Sequence, residues 1–176
     1  MHLQAFNPAF ACAIGLVMSQ NVCPNAVDAW TRLVRAEQSL IDKVETDLKQ
    51  AGFPPLTWYD VLWELDRSPE GRLPQAQVQS RTLLAQYNLC RLADRLGDEG
   101  LIERRPCPMD GRSKHLVITD KGRALRAAMW PVYADAIRAH VASRLTAEEA
   151  RQLAQLLGKL IEADTTPAAL TAGLET

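Results

Sequence analysis

The sequence predicts a mainly α-helical fold with one small β-hairpin. Three observations carry this. Apolar residues recur at helical spacing through most of the chain, the period changes only once, near residue 101, and Gly, Pro and Ser/Thr signals punctuate the helical stretches. With 176 residues, 47% hydrophobic and 23% charged, the chain is long and apolar enough to bury a core.

Residues 1–24, punctuated by Pro8 and Pro24, read as an N-terminal arm or short helix. A long helix follows from about Asn25 to Ala51, with Val27, Trp30, Val34, Leu40, Ile41, Val44 and Leu48 at helical spacing. Gly52 ends it and Pro54-Pro55 prevents its return. A helix this long exceeds what a small domain covers, so a partner chain is its expected cover. Thr57 is positioned to cap a helix over Trp58–Asp66, and Ser68-Pro69-Glu70-Gly71 reads as a turn. Pro74 suits the first turn of a short helix over Gln75–Thr82. After a break at Leu83-Leu84-Ala85, a helix from Gln86 to Glu99 presents Leu89, Leu92, Ala93 and Leu96 as its buried stripe, and Gly100 stops it.

The change of period comes next. Leu101–Arg105 and His115–Ile118 read as two strands joined through a turn at Asp110-Gly111, a hairpin with a basic tip. Thr119 caps a further helix to about Met129, where Pro131 kinks or restarts it. Thr146 and Glu149 form a capping box before a last helix with Leu153, Leu156, Leu157, Leu160 and Ile161 on its apolar face. From Thr165 a frayed tail is expected. This order gives a winged helix-turn-helix over residues 56–123 between helical regions over 25–55 and 124–164, and a tail over 165–176.

Composition narrows the function classes. The net charge is -1, so any affinity for nucleic acid has to be local. The stretch from 104 to 126 holds seven Arg or Lys against Asp110 and Asp120, an excess of five. There is no Gly-rich phosphate loop, HExxH or GxSxG, so no enzyme is expected. The cysteines Cys12, Cys23, Cys90 and Cys107 form no CxxC pair, and neither a metal site nor a cofactor is expected. No apolar run has the length of a membrane span, no secretory signal is convincing, and a cytoplasmic protein with reduced thiols is the expectation. A helix fits the major groove, where base edges can be read, and a basic hairpin can reach the adjacent minor groove.

Two segments carry a family resemblance. Arg91-Leu-Ala-Asp-Arg-Leu-Gly-Asp-Glu-Gly-Leu-Ile-Glu-Arg-Arg-Pro106 resembles the recognition helix and wing entry of the MarR family. Asp110-Gly-Arg-Ser-Lys-His-Leu-Val-Ile-Thr-Asp-Lys-Gly-Arg-Ala124 resembles its D-x-R wing core and the L-T-x-x-G-R start of the next helix. The resemblance covers roughly residues 27 to 162. It implies a homodimer, interlocked through a helical dimerisation region formed by 25–55 and 124–164, on a pseudo-palindromic operator in double-stranded DNA. Gln86, Tyr87 and Asn88 are the candidate base readers, with Gln and Asn suited to adenine. The chain departs from many relatives in carrying Ala-Gln-Tyr-Asn here. Arg112 is the candidate wing-tip reader, oriented by Asp110, with Arg91, Arg105, Ser113 and Lys114 as further DNA contacts. Arg95 is expected to pair with an acidic neighbour.

The same resemblance implies a repressor released by a small aromatic or anionic effector. Trp58, Tyr59, Asp60 and Trp63 lie on the helix expected to border the pocket. In urate-responsive members an Asp on this helix joins an Arg in the recognition helix and an Arg at the wing base, places matched by Asp60, Arg91 and Arg104. Those members add a Trp from an extra N-terminal helix; Trp30 lies on the long helix instead. An alternative is a redox-responsive regulator switching through Cys107 in the wing or Cys23 near the long helix, with Cys90 buried. A further alternative is a winged-helix protein–protein module without DNA binding.

Overall fold

The computed structural model describes residues 22–82, 86–106 and 114–161. The chain divides into two compact units, residues 1–39 and 40–176. The first helix, α1 (Pro24–Gln50), starts in the first unit and ends in the second. Within the second unit it buries Val44 and Leu48. Its end is a Schellman stop: Gly52 takes φ +78, its N–H donates to the Lys49 carbonyl at 3.0 Å, and the Phe53 N–H donates to the Leu48 carbonyl at 2.9 Å.

Helix α2 (Leu56–Asp66) starts ahead of the expected Trp58 and its cap at Thr57. Thr57 lies inside the helix, Pro55 occupies the cap position, and no side chain of that residue bonds the first turn. Instead the Glu45 carboxylate on α1 accepts the Leu56 N–H at 2.9 Å. A carboxylate at a helix N-terminus satisfies an orphan donor and suits the dipole. That partner is eleven residues upstream, beyond the reach of a local capping pattern.

A 3-10 turn over Pro69–Gly71 leads to a strand the periodicity did not reveal. β1 (Arg72–Pro74) precedes α3 (Gln75–Thr82) and pairs antiparallel with β3 (Lys114–Ile118), placing Leu73 opposite Leu116. β2 (Ile102–Pro106) lies on the other side of β3, so the wing is a three-stranded sheet in the order β1-β3-β2, not a two-stranded hairpin. Pro74 is tolerated because β1 is an edge strand.

Helix α4 (Gln86–Asp98) buries Leu89, Leu92, Ala93 and Leu96 as its spacing predicts. Its stop repeats the motif that ends α1, with Gly100 at φ +68 and the Leu101 N–H on the Leu96 carbonyl at 2.8 Å. Thr119 caps α5 (Asp120–His140), accepting the Gly122 N–H at 3.1 Å. Helix α5 continues through Pro131 to His140, so the proline neither ends nor restarts it. The last helix, α6 (Ala147–Ile161), opens on the capping box: the Thr146 N–H donates to Glu149 at 2.8 Å and the Glu149 N–H donates to the Thr146 hydroxyl at 3.3 Å.

Helix α2 serves two cores with two faces. Val61, Leu62 and Leu65 pack with Val78, Leu89 and Leu116 in the winged part. Leu56 and Tyr59 pack with Val44, Leu48, Met129 and Ala136 in the helical part. The tail from Thr165 and the turn at Asp110-Gly111 lie outside the described residues.

Candidate nucleic-acid interface and effector cluster

Burial of Leu89, Leu92, Ala93 and Leu96 turns the opposite side of α4 outward, because residues 100° apart on a helix divide into faces. Asn88, Arg91 and Arg95 are exposed there, and Gln86 and Tyr87 open the helix. Arg95 makes no ion pair with the described residues, contrary to the expected acidic partner. On the wing, Glu103, Arg104, Arg105, Pro106 and Lys114 are exposed. Cys107, Asp110, Arg112 and Ser113 lie outside the described residues.

The local charge excess is smaller in three dimensions than along the chain. Arg104 pairs with Asp94 on α4 and also donates to the Cys90 carbonyl at 3.1 Å. Arg105 pairs with Glu103 at 2.7 Å. Arg123 and Arg126 both meet Asp66, Arg126 through Nε at 2.7 Å. The Lys121 ammonium donates to the Glu99 carbonyl at 2.6 Å. Asp66 and Asp94 lie outside the 104–126 window, which is why a count over that window missed them. Arg104 therefore fixes the wing base to α4, and Lys114 is a basic wing residue with its side chain in solvent.

A second feature joins α2 and α5. Tyr59 stacks with Trp63 and with Trp130, each at 6.3 Å between ring centres, and meets the edge of Tyr133 at 5.2 Å. The Arg126 guanidinium lies 5.3 Å from the centre of the Trp63 ring. Burial raises the Tyr59 hydroxyl, opposed by its hydrogen bond to Arg126. The Arg126 Nε atom is buried and, though close to Asp66, lacks a well-directed hydrogen bond. Beside the rings, Asp60 is pushed up to about 6, first by burial and then by Glu45 and Glu64. Tyr133 is raised by burial, with Asp60 and Tyr59 adding to it.

Residues 51–113 match the MarR family. Over these residues, which span most of the winged helix-turn-helix, the chain is similar to that family. Among solved structures, the chain is similar to Sco3205, a MarR-family transcriptional regulator of Streptomyces coelicolor in complex with DNA, at 25% identity over 85% of this chain and 94% of that one, with a TM-score of 0.74. It is similar to Sco5413 of the same organism at 28% identity over 80% and 96%, with a TM-score of 0.69. It shares the fold of Bordetella bronchiseptica BpsR, whose DNA binding is regulated by 6-hydroxynicotinic acid, at 22% identity over 76% and 98%, with a TM-score of 0.68.

Within this winged fold the residues expected at an effector site separate. Tyr59 and Trp63 enter the aromatic cluster. Trp58 packs against the core of the winged part instead. Asp60 sits near Glu45, Glu64 and Tyr133, while Arg104 is held at the wing base by Asp94. Arg91 is exposed on α4. Trp30 is 66% exposed on the N-terminal part of α1. Trp130, Tyr133 and Arg126 escaped sequence reasoning because they lie some seventy residues from Tyr59, on a helix whose apolar pattern continues past Pro131. Cys23 is exposed, and Cys90 is half-buried instead of buried.

Proposed function

We propose that this chain is a sequence-specific DNA-binding transcriptional regulator that acts as a homodimer on a pseudo-palindromic operator. The observation that carries the reading is a MarR-family α4 whose outward face holds Asn88 and Arg91, next to a wing that presents Lys114. Half-sites about one DNA turn apart follow from two-fold geometry. A mobility shift with duplex DNA from the gene's own upstream region, titrated with salt and unrelated DNA, tests it. Retention of the shift in the presence of excess competitor is the expected result. Absence of any shift with dimeric protein would overturn it. Arg112→Ala is expected to weaken operator binding about tenfold with no change in dimer mass, the loss of one good base or groove contact.

Dimerisation is supported by apolar surface left exposed among the described residues. No residue of the 15-residue helix α6 is buried, and Leu153, Leu156, Leu160 and Ile161 are all exposed large side chains. An amphipathic helix with an uncovered apolar stripe requires a partner. Val27 and Trp30 form a separate exposed apolar stretch on α1. Leu156→Glu is expected to convert the protein to a folded monomer in multi-angle light scattering; an unchanged dimer mass would exclude α6 from the interface.

Repression relieved by a small aromatic or anionic molecule completes the proposal. Its support is the Tyr59, Trp63, Trp130 and Tyr133 cluster with the Arg126 guanidinium against it, a combination suited to a planar ring bearing a negative charge. Aromatic acids screened for release of the mobility shift, and for quenching of tryptophan emission, test this part.

A further inference from the structure

A cleft of about 350 Å³ opens between α3, α4 and the wing, lined by Gln75, Gln79, Cys90, Asp94, Arg104 and Lys114. We infer that this cleft seats a phosphate of the DNA backbone, with Gln79 and Lys114 as its donors. The inference rests on the DNA-binding reading above and adds a contact site on α3 that the recognition helix and wing tip do not supply.

The donor balance of the cleft favours a single anion. Its one carboxylate, Asp94, is already neutralised by Arg104. Arg104 also holds the Cys90 carbonyl, so its guanidinium is a fixed wall. The Gln75 amide is committed to the Cys90 sulfur at 3.1 Å. What remains is the Lys114 ammonium and the Gln79 amide, both donors of the kind that contact phosphate oxygens. Lys114 is the first residue of β3, and Gln79 lies on the first helix of the helix-turn-helix. In that motif the first helix crosses the DNA backbone while the second enters the groove. A cleft with one wall on α3 and another on the wing base lies where a strand passing from groove to wing would run. A single phosphodiester fits its volume.

Cys90 supplies a built-in probe, since its half-buried thiol lines the cleft. In the full-length protein, iodoacetamide labelling of Cys90 is followed by mass spectrometry with and without operator duplex. Bound duplex is expected to slow labelling at least about tenfold. Lys114→Gln is expected to weaken operator binding about tenfold and to make the salt slope shallower by about one. Gln79→Glu, which places a carboxylate against the phosphate, is expected to weaken binding by at least as much, and Gln79→Lys to restore or exceed wild-type affinity. That gain is a readout that loss of folding cannot produce. If wild-type protein shifts the duplex while Cys90 labels at its free rate and both Gln79 variants bind as wild type, the cleft assignment fails and the DNA-binding reading stands. If inorganic phosphate alone protects Cys90 and duplex adds nothing, the cleft takes a free anion and the assignment is overturned. If no duplex is bound at all, the regulator reading fails and takes this inference with it.

Discussion

Replacing Asp60 with asparagine is expected to stabilise the protein at pH 7 by up to about 3 kcal/mol and to have almost no effect at about pH 3. An ordinary aspartate titrates at 3.8, and burial among α2 neighbours with Glu45 and Glu64 nearby moves this carboxyl to about 6. A carboxyl whose folded value is raised holds its proton more tightly in the folded chain than in the unfolded one. Well below pH 3.8 both states are protonated and the group has no effect. Between pH 4 and 6 the unfolded chain ionises first, and stability falls as pH rises. Above pH 6 the folded protein carries the full cost of an ionised, half-buried carboxylate beside two others. Asparagine keeps the shape and removes the charge. Chemical denaturation from about pH 3 to 8 reads the result: the wild-type curve should decline between about pH 4 and 6 and level off above, and the Asp60→Asn curve should be flatter. Parallel curves would show that Asp60 is solvated and ionised at its ordinary value. A carboxylate kept at this cost beside Tyr133 and the Tyr59 cluster is consistent with the proposed effector role, because sites retain such groups for binding. Loss of effector response in a stabilised Asp60→Asn protein is the corresponding functional expectation.

The second large effect is expected at Gly122. It is buried at the start of α5, where an added Cβ would lie 2.2 Å from the Leu101 carbonyl oxygen and 2.9 Å from Ile118 Cγ1. The carbonyl has little room to retreat. It accepts the Thr119 N–H at 3.1 Å and lies 3.0 Å from the Thr119 hydroxyl, the same residue that caps α5. A methyl group there has to push α5 away from the junction of α4 and β2, at a cost of about 3 kcal/mol, the upper end for overpacking a core site. Gly97 supplies the internal control. It lies within α4 with no atom within 4 Å of a built Cβ and no positive φ, so Gly97→Ala is expected to stabilise by roughly 0.5–1 kcal/mol through helix propensity. The same substitution should thus act with opposite sign at two helical glycines. Equal midpoints for wild type and Gly122→Ala in urea would show that the α5 start has more freedom than its packing suggests.

The positions of these elements were largely legible in the sequence, because their determinants are local. The stripe at Leu89, Leu92, Ala93 and Leu96 defined both the buried face of α4 and, by exclusion, its outward face. Gly52 and Gly100 marked their helix ends through backbone conformations that glycine adopts at little cost. Thr119 and the Thr146–Glu149 box marked helix starts through side chains that reach only two or three residues. The features that were not legible depend on partners far along the chain. Three residues containing a proline have no readable period, so β1 existed only once Leu73 met Leu116. The cap on α2 came from Glu45 and not from Thr57. The basic stretch after Arg104 lost much of its free charge to Asp66 and Asp94.

The sequence by itself determined a helical chain with one winged element, the bounds of the helix that resembles a recognition helix and the MarR resemblance, since periodicity, caps and stops act within a few residues. Only the tertiary structure decided which aromatic residues meet. Tyr59 and Trp63 lie on one helix, Trp130 and Tyr133 on another, and packing of α2 against α5 brings them together around Arg126. It likewise opened the cleft beneath Lys114 by setting α3 against the wing. Electrostatic and aromatic contacts depend on distance in space, and distance along the chain carries no record of it beyond a turn or two of helix.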